Sequence, residues 1–373
     1  MSGADAGSGL DRRTFLKASA MAGGGLALGI PLSGCSGSSP DAAENGLTPD
    51  AWLLITPQDR VIFQLDKAEM GQGVITALPT LIGEELDFDP ARIHVLLASV
   101  DPLFRDPLQV TGGSTSMASR WEPVRHSGAA AREMLRQAAA AQWSVAADTV
   151  SVRDGRIDHV PSGRSASYGD LASAAARQRV PENPPMKDPA DYRWIGHSLP
   201  RTDRVIKSMG TAVFGLDIGM GDHAIPDLAT AVVLRSPRFG ATLESHDAAG
   251  ARELPGVLDI FAIDTGVAVL AEGYWRARKA VDKITANWSP GPLAGVDSAA
   301  IEETQRQLLA DGDPRSVRDE GEFDQALGTA ARVIESEYVA PHLAHATMEP
   351  MNCTAWARED ACDIWAPTQA PDM

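Results

Sequence analysis

The sequence predicts an α+β protein, and three observations predict it. Short apolar runs of strand character alternate with helical stretches through most of the chain. Two glycine-bearing segments, Met70-Gly71-Gln72-Gly73 and Thr111-Gly112-Gly113-Ser114-Thr115-Ser116, fall where strand character gives way to helix. An alanine-rich run over 121–143 has the composition of one long helix.

Composition sets the outer limits. A chain of 373 residues, 44% of them hydrophobic, can bury a sizeable core and build two or three domains. Its 50 acidic and 33 basic residues give a formal charge of −17. No basic field is available to neutralise phosphates, which argues against nucleic acid as a partner. The cysteines are Cys35, Cys353 and Cys362. An iron–sulfur cluster needs about four thiolates, so this chain alone cannot hold one. The histidines show no His-Glu-x-x-His pattern, and only His342 and His345 stand close together, so no zinc site is expected.

Residues 1–35 read as an export signal outside the fold. Arg12-Arg13, followed by Phe15-Leu16-Lys17 and a mildly apolar run rich in Gly and Ala, resembles a twin-arginine signal. The glycines and proline between Ala18 and Gly34 argue against a permanent membrane span. Leu32-Ser33-Gly34-Cys35 resembles a lipobox, with a lipid carried on Cys35. A chance cysteine beside an ordinary cleavage site is the other reading. Residues 36–47 read as a flexible tether. Twin-arginine export carries folded proteins, which suits a chain that takes up its cofactor in the cytoplasm. The expected location is the periplasm, with a membrane anchor if Cys35 is lipidated.

Residues 48–180 form the first mixed domain. Two short strands flank Pro57-Gln58-Asp59, and a helix runs from about Gly73 to Leu86. Residues 91–100 make a strand, 109–120 a Gly/Ser loop and 121–143 the long helix. Residues 149–160 read as a hairpin turning at Asp154-Gly155. Residues 181–200 read as a proline-rich linker. A second unit covers 201–290, with strands in 229–245, 253–263 and 266–272 and a helix leading into a strand over 274–288. A third begins near Val296, and 332–357 supply its first strands. Cys353 and Cys362 flank an expected hairpin, where a cross-strand pair and two buried unpaired thiols both stand as readings. Trp121 and Trp356 are expected in the core. The chain stops at Met373 inside what reads as a continuing sheet, and is expected to be a fragment.

The order of these motifs resembles the molybdopterin-binding large subunit of the xanthine dehydrogenase family, most closely the isoquinoline 1-oxidoreductase beta subunit type. "EMGQG" with its following helix is similar to the family's GQG loop, and "TGGSTSMAS" to its second cofactor loop. "GTAVFGLDI", "AVVLRSPRFGATL", "LPGVLDIF" and "VAVLAEGYWRARKAV" together resemble the a/b hammerhead domain. "YVAPHLAHATMEPMNCTA" resembles the start of the main cofactor domain. The GQG segment precedes the hammerhead here, a permuted order characteristic of the isoquinoline-type branch.

The resemblance implies a permuted molybdopterin-binding segment over 48–180, a hammerhead over 201–290 and an incomplete main cofactor domain over 296–373. It implies molybdopterin cytosine dinucleotide bound by Gly71, Gln72, Gly73, Gly112, Gly113, Ser114, Thr115 and Ser116. Glycines permit close approach and positive φ, and a strand-to-helix junction is expected to offer unpaired N–H groups to a pyrophosphate. The implied activity is hydroxylation of an aldehyde or N-heterocycle with oxygen from water. Electrons pass to a small subunit with two [2Fe-2S] clusters and on to a cytochrome-type acceptor. The family's catalytic glutamate lies, by resemblance, beyond Met373. Where xanthine dehydrogenase carries a glutamine two residues before its histidine, this chain has Leu343 before His345. That departure puts a side-chain contact to the metal from this segment in doubt. His345 and Glu349 are the candidate pocket residues, with a structural role as the alternative. A different class of function is a non-catalytic envelope lipoprotein that keeps the fold as a binding module.

Overall fold

The computed structural model describes residues 26–28, 52–98, 100–105 and 108–373. These form a mixed structure of helices and sheets. Arg12, Arg13, Cys35 and the tether 36–47 lie outside the described residues. The chain divides into two compact units, Met1–Val213 with Pro367–Met373, and Phe214–Ala366.

The first unit is built on a sheet of β1 (Leu26–Leu28), β2 (Leu53–Ile55), β3 (Val61–Leu65) and β4 (His94–Leu97), in that order. β1 runs antiparallel to β2, and β2 to β3, whereas β3 and β4 are parallel. β1 belongs to the segment expected to stand outside the fold. It pairs because the edge of β2 carries backbone donors and acceptors that an adjacent strand satisfies.

A parallel pair needs a crossover, and α1 (Val74–Leu86) lies between β3 and β4 in the chain. It packs on the long helix α2 (Ser116–Trp143). The approach is close at Gly128, where a Cβ would stand 3.0 Å from both Glu85 Cβ and the Ile82 carbonyl oxygen. Leu78, Ile82, Ala131 and Leu135 from the two helices and Trp52 and Phe63 from the sheet side share one buried core. Trp121 is partly buried against this core.

Helix α2 starts earlier than the Gly/Ser loop expected over 109–120 allows, so Ser116 to Arg120 is helical. Arg120 is 1% exposed and donates to the buried Asp66 carboxylate just after β3, with Nη2 2.7 Å from Oδ2. That ion pair fixes the first turns of α2 against the sheet.

The hairpin β5 (Ser151–Arg153) and β6 (Arg156–His159) turns at Asp154-Gly155, with φ of 52° and 81°, and β7 (Arg164–Ser167) completes its sheet. Positive φ at both turn residues is what a type I′ turn requires. α3 (Tyr168–Ala175) begins with a capping box of Ser167 and Asp170.

Residues 181–200 are held against the first unit rather than spanning free. Glu84 and Glu85, both fully buried on α1, anchor them. Glu84 accepts the amides of Arg193, Trp194 and Ile195 at 2.7–3.1 Å. Glu85 accepts the Lys187 amide at 2.9 Å while paired with Arg125. Burial alone would raise the Glu84 carboxyl pKa. The backbone donors and Lys187 outweigh it and hold the group below the usual carboxylate range. The short helix α4 (Arg204–Ser208) follows.

In the second unit, β8 (Thr230–Leu234), β10 (Val257–Ile263) and β11 (Gly266–Ala271) form one antiparallel sheet, and β9 (Leu243–Asp247) pairs with β12 (Thr285–Trp288). α5 (Ala249–Arg252) and α6 (Tyr274–Val281) cover a small core with Ile260, Val267, Val269, Ala277 and Ala280. α7 (Ser298–Asp311) and α8 (Phe323–Thr329) carry no buried residue.

Three expectations for 296–373 are corrected here. Residues 332–353 form no strand, because no ladder partner lies beside them among the described residues. The first strand is β13 (Thr354–Ala357), paired with β14 (Cys362–Trp365). Trp356 is not in a core but 40% exposed, with the Arg358 guanidinium 4.8 Å above its ring. Cys353 and Cys362 do not face one another. Cys362 lies opposite Ala357, which places Cys353 roughly 13 Å away along the strand at about 3.3 Å per residue. A disulfide needs Cα atoms within about 7 Å, and both thiols are free and exposed, neither paired nor buried.

Candidate functional site

The two glycine loops start side by side. The chain leaves β3 through Asp66, Lys67 and Ala68, and these residues hold the base of the second loop. Lys67 Nζ donates to the Val110 carbonyl at 3.0 Å, and the Ala68 amide donates to Thr111 Oγ1 at 2.8 Å. The ties run through the loop bases and leave the glycine tips outward.

The first loop is shaped by a residue not singled out from the sequence. The Glu69 carboxylate accepts the amides of Gly71 at 2.8 Å, Gly73 at 3.0 Å and Ile75 at 2.9 Å. It therefore caps α1 with a full negative charge, where the helix dipole favours one. The Glu69 side chain is 7% exposed. Burial pushes its pKa up, but the three amides and the Arg201 guanidinium pull it further down, and the group sits below the usual carboxylate range. Gly71 and Gly73 take φ of 103° and 89°, which side-chain-bearing residues rarely adopt.

Arg201 closes the loop from outside. Its Nη1 donates to the Gly71 carbonyl at 2.7 Å and its Nη2 to Glu69 at 3.2 Å. Asp203 holds the guanidinium through both oxygens, at 2.9 and 2.7 Å. Arg201, against the opposing effect of burial, and Lys207 hold the Asp203 carboxyl far below its usual range.

This arrangement changes what the first loop offers. The sequence reading expects unpaired amides at the start of α1, but three of them are already donated to Glu69. Gln72 is exposed and partly committed. Its Nε2 donates to the Ala68 carbonyl and its Oε1 accepts the Met70 amide, both at 2.8 Å. A carboxamide has two donor and two acceptor positions, so each end keeps one for a ligand.

The second loop is differently made. Gly113 and Ser114 take φ of 60° and 56°, and Thr115 Oγ1 donates to the Gly112 carbonyl at 2.9 Å. Gly112, Gly113, Ser114 and Thr115 are exposed, and Ser116 is half-buried in the first turn of α2. No acidic residue stands in that turn, so the positive end of this helix is uncompensated there. The glycines leave clear space outward. A Cβ at Gly71 would meet nothing within 4 Å, and at Gly112 and Gly113 the nearest atoms would be 3.9 and 3.6 Å away. Internal packing does not demand the absence of side chains at these positions. Positive φ calls for glycine at 71 and 113, while at Gly112 neither packing nor φ does, and the open space outside the loops fits the dinucleotide expected from the sequence.

Residues 369–372 return to this loop. The Thr111 amide donates to the Gln369 carbonyl at 2.7 Å, and Gln369 Nε2 donates to the Thr111 carbonyl at 2.8 Å. Asp372 pairs with Arg105 and accepts the Gln109 amide at 3.4 Å.

His345 and Glu349 belong to the second unit. Glu349 Oε1 accepts the Leu216 amide at 3.1 Å and the Asn352 side chain at 2.9 Å, which is a local structural tie. His345 is exposed. No cluster of three or more His, Cys, Asp or Glu suited to a metal ion occurs among the described residues. No helix among them is long and apolar enough to cross a membrane.

Comparison with known proteins adds the identity of the fold. A family model described as a molybdopterin cofactor-binding domain matches residues 6–216, and a second of the same description matches 307–373. The chain is 28% identical to the beta subunit of isoquinoline 1-oxidoreductase from Brevundimonas diminuta, covering 98% of this chain and 52% of that protein. It is 28% identical to a membrane-bound aldehyde dehydrogenase of Gluconacetobacter polyoxogenes named with pyrroloquinoline quinone, covering 96% and 48%. It is 26% identical to a nicotinate dehydrogenase subunit of Pseudomonas putida, covering 92% and 29%. The chain thus spans about half or less of the length of these relatives. Among solved structures it is similar to quinoline 2-oxidoreductase from Pseudomonas putida 86 at TM-score 0.27 and 17% identity, over 33% of this chain and 15% of that one. The Cu,Mo-CO dehydrogenase matches at TM-score 0.21 and 16% identity, over 24% and 15%. The first family match alone takes in more than half of the 373 residues, and the chain belongs to the molybdopterin cofactor-binding domain family.

Proposed function

We propose that the chain is the cofactor-bearing part of a molybdenum hydroxylase large subunit that oxidises an aldehyde or an N-heterocycle. The observation that carries this reading is the joining of two open glycine loops at their bases by Lys67–Val110 and Ala68–Thr111, within a family match over 6–216. The relatives' names, which speak of aldehyde, isoquinoline and nicotinate, support the substrate class. Within this reading, residues 48–180 are a permuted cofactor-binding segment, 201–290 the a/b hammerhead and 296–373 the start of the main cofactor domain.

When bound, the molybdopterin cofactor supplies the two-electron chemistry and the site where water's oxygen enters the product. This chain's residues bind and orient it. Gly71 leaves room for close approach, Gly73 supplies the positive φ that turns the chain into α1, and Gln72 offers one donor and one acceptor. The amides at the start of α1 are already donated to Glu69, so the phosphate end belongs with the second loop. There Gly112, Gly113, Ser114, Thr115 and Ser116 offer backbone, hydroxyls and the uncompensated end of α2. We assign the cytosine dinucleotide form of the cofactor. A separate small protein with two [2Fe-2S] clusters takes the electrons, and a cytochrome-type acceptor follows. The protein is exported by the twin-arginine route to the periplasm, with Cys35 as the candidate lipid attachment.

A second reading follows from the name of the Gluconacetobacter relative, which specifies a quinone cofactor. Elemental analysis and nucleotide release from the intact purified protein separate the two. Stoichiometric molybdenum with a cytidine nucleotide supports our reading. A redox-active quinone without molybdenum supports the other. Neither would leave the non-catalytic envelope binding module.

A further inference from the structure

We infer that Gln369 is a positioning residue for the second glycine loop, acting through Thr111. This rests on the cofactor reading above for its purpose but not for its geometry. Gln369 meets Thr111 twice, through its carbonyl with the Thr111 amide at 2.7 Å and through its side-chain amide with the Thr111 carbonyl at 2.8 Å. Both backbone groups of one residue are thereby fixed by a segment far along the chain.

Thr111 is where the two loops are coupled. Its hydroxyl accepts the Ala68 amide at 2.8 Å, at the entry to the first loop, and the next residues are Gly112 and Gly113. Gln369 therefore holds the residue that sets the spacing of both loops. The same segment is pinned a second time. Asp372, 1% exposed in its side chain, pairs with Arg105 and receives the Gln109 amide on the other side of Val110. The Arg105 guanidinium first, against burial, and then the Gln109 amide hold the Asp372 carboxyl below its usual range. Residues 109–111 are thus clamped at both ends by 369–372. Beyond them Gly112 is held from within the loop, its carbonyl accepting the Thr115 amide and hydroxyl at 3.3 and 2.9 Å, and the next two positions take positive φ, 60° and 56°. A loop of that kind needs a rigid base to present a defined surface to a ligand.

The test uses the intact protein with Gln369→Ala and, separately, Asp372→Asn. Hydrogen exchange read on peptides spanning 108–116 should be at least tenfold faster in Gln369→Ala, and less strongly so in Asp372→Asn. Peptides from α1 should be unchanged. Molybdenum content should fall in the same order. If exchange at 108–116 is unchanged, or if α1 loosens equally, Gln369 does not position the loop. If Gln369→Ala is insoluble, Asp372→Asn decides by the same peptides. Should wild-type protein carry no molybdenum, the functional reading fails, and the exchange result still decides the clamp.

Discussion

Replacing Glu69 by Gln tests how the first loop is made. The two carboxylate oxygens divide the work. Oε1 takes the Gly71 and Gly73 amides and Oε2 takes the Ile75 amide, all within 3.0 Å. Glutamine keeps one oxygen and puts an NH2 in place of the other. If its oxygen serves the two glycines, its nitrogen faces the Ile75 N–H, donor against donor. It also loses the charge that favours the start of α1 and attracts Arg201. Hydrogen bonds to charged groups contribute about 1.5–3 kcal/mol each, and the exposed Gly71 amide can return to water, so the expected loss is about 2–4 kcal/mol. Chemical denaturation of the intact protein gives that loss, and exchange at 69–77 locates it. The pH dependence follows from the lowered pKa of Glu69. A depressed carboxyl contributes stability that is present above the unfolded value near 4.5 and is lost as pH falls through the folded value. The difference between wild type and Glu69→Gln should be constant from pH 7 to about 5 and shrink below about 4.5. A difference near zero at pH 7, or one that grows on acidification, would refute the assignment.

Further outcomes follow from the same geometry. Glu84→Ala leaves the amides of Arg193, Trp194 and Ile195 without their acceptor and Lys187 with Asp87 as its remaining carboxylate, at a cost of about 3–5 kcal/mol, and limited proteolysis should begin to cut within 187–195. Gly128→Val forces side-chain atoms into a contact where even a Cβ stands 3.0 Å from Glu85 and Ile82, and should lower the unfolding free energy by about 1–3 kcal/mol or more. A fragment of residues 45–373 should self-associate in size-exclusion chromatography, because Tyr338, Leu343 and Met348 are almost fully exposed and the β13–β14 hairpin leaves its outer strand edges open among the described residues. Arg12→Lys with Arg13→Lys should leave the precursor in the cytoplasm, as read by fractionation.

The sequence was legible where the signal is local. The helix expected from Gly73 runs from Val74, and the Asp154-Gly155 turn carries the positive φ that those residue types permit. The helical start at Ser116 was hidden because what fixes it, Asp66 against Arg120, is a contact across the fold. Glu84 and Glu85 carry no local sign of burial. Their burial depends on donors from 187–195, which periodicity cannot reveal. Glu69 could have been found: an acidic residue just ahead of a glycine-started helix is a dipole partner by position alone. Gln369 had no local signal, since its role rests on a residue more than two hundred positions away.

The central claim is that the first glycine loop faces the molybdenum cofactor. The direct measurement is molybdenum per protein in intact wild type, Gly73→Val and Arg153→Ala. At φ 89°, valine at position 73 carries about 1–2 kcal/mol of backbone strain and sets a branched side chain against Arg201, whose Nη1 would stand 3.5 Å from the Cβ, so that the shape of the first loop is disturbed. Arg153 lies on the β5–β6 hairpin, outside both glycine loops, and is exposed. The account predicts near-stoichiometric metal in wild type and Arg153→Ala, and a severalfold loss in Gly73→Val with the protein still folded. Full molybdenum in folded Gly73→Val would contradict it, and the loop would then be no more than the start of a helix.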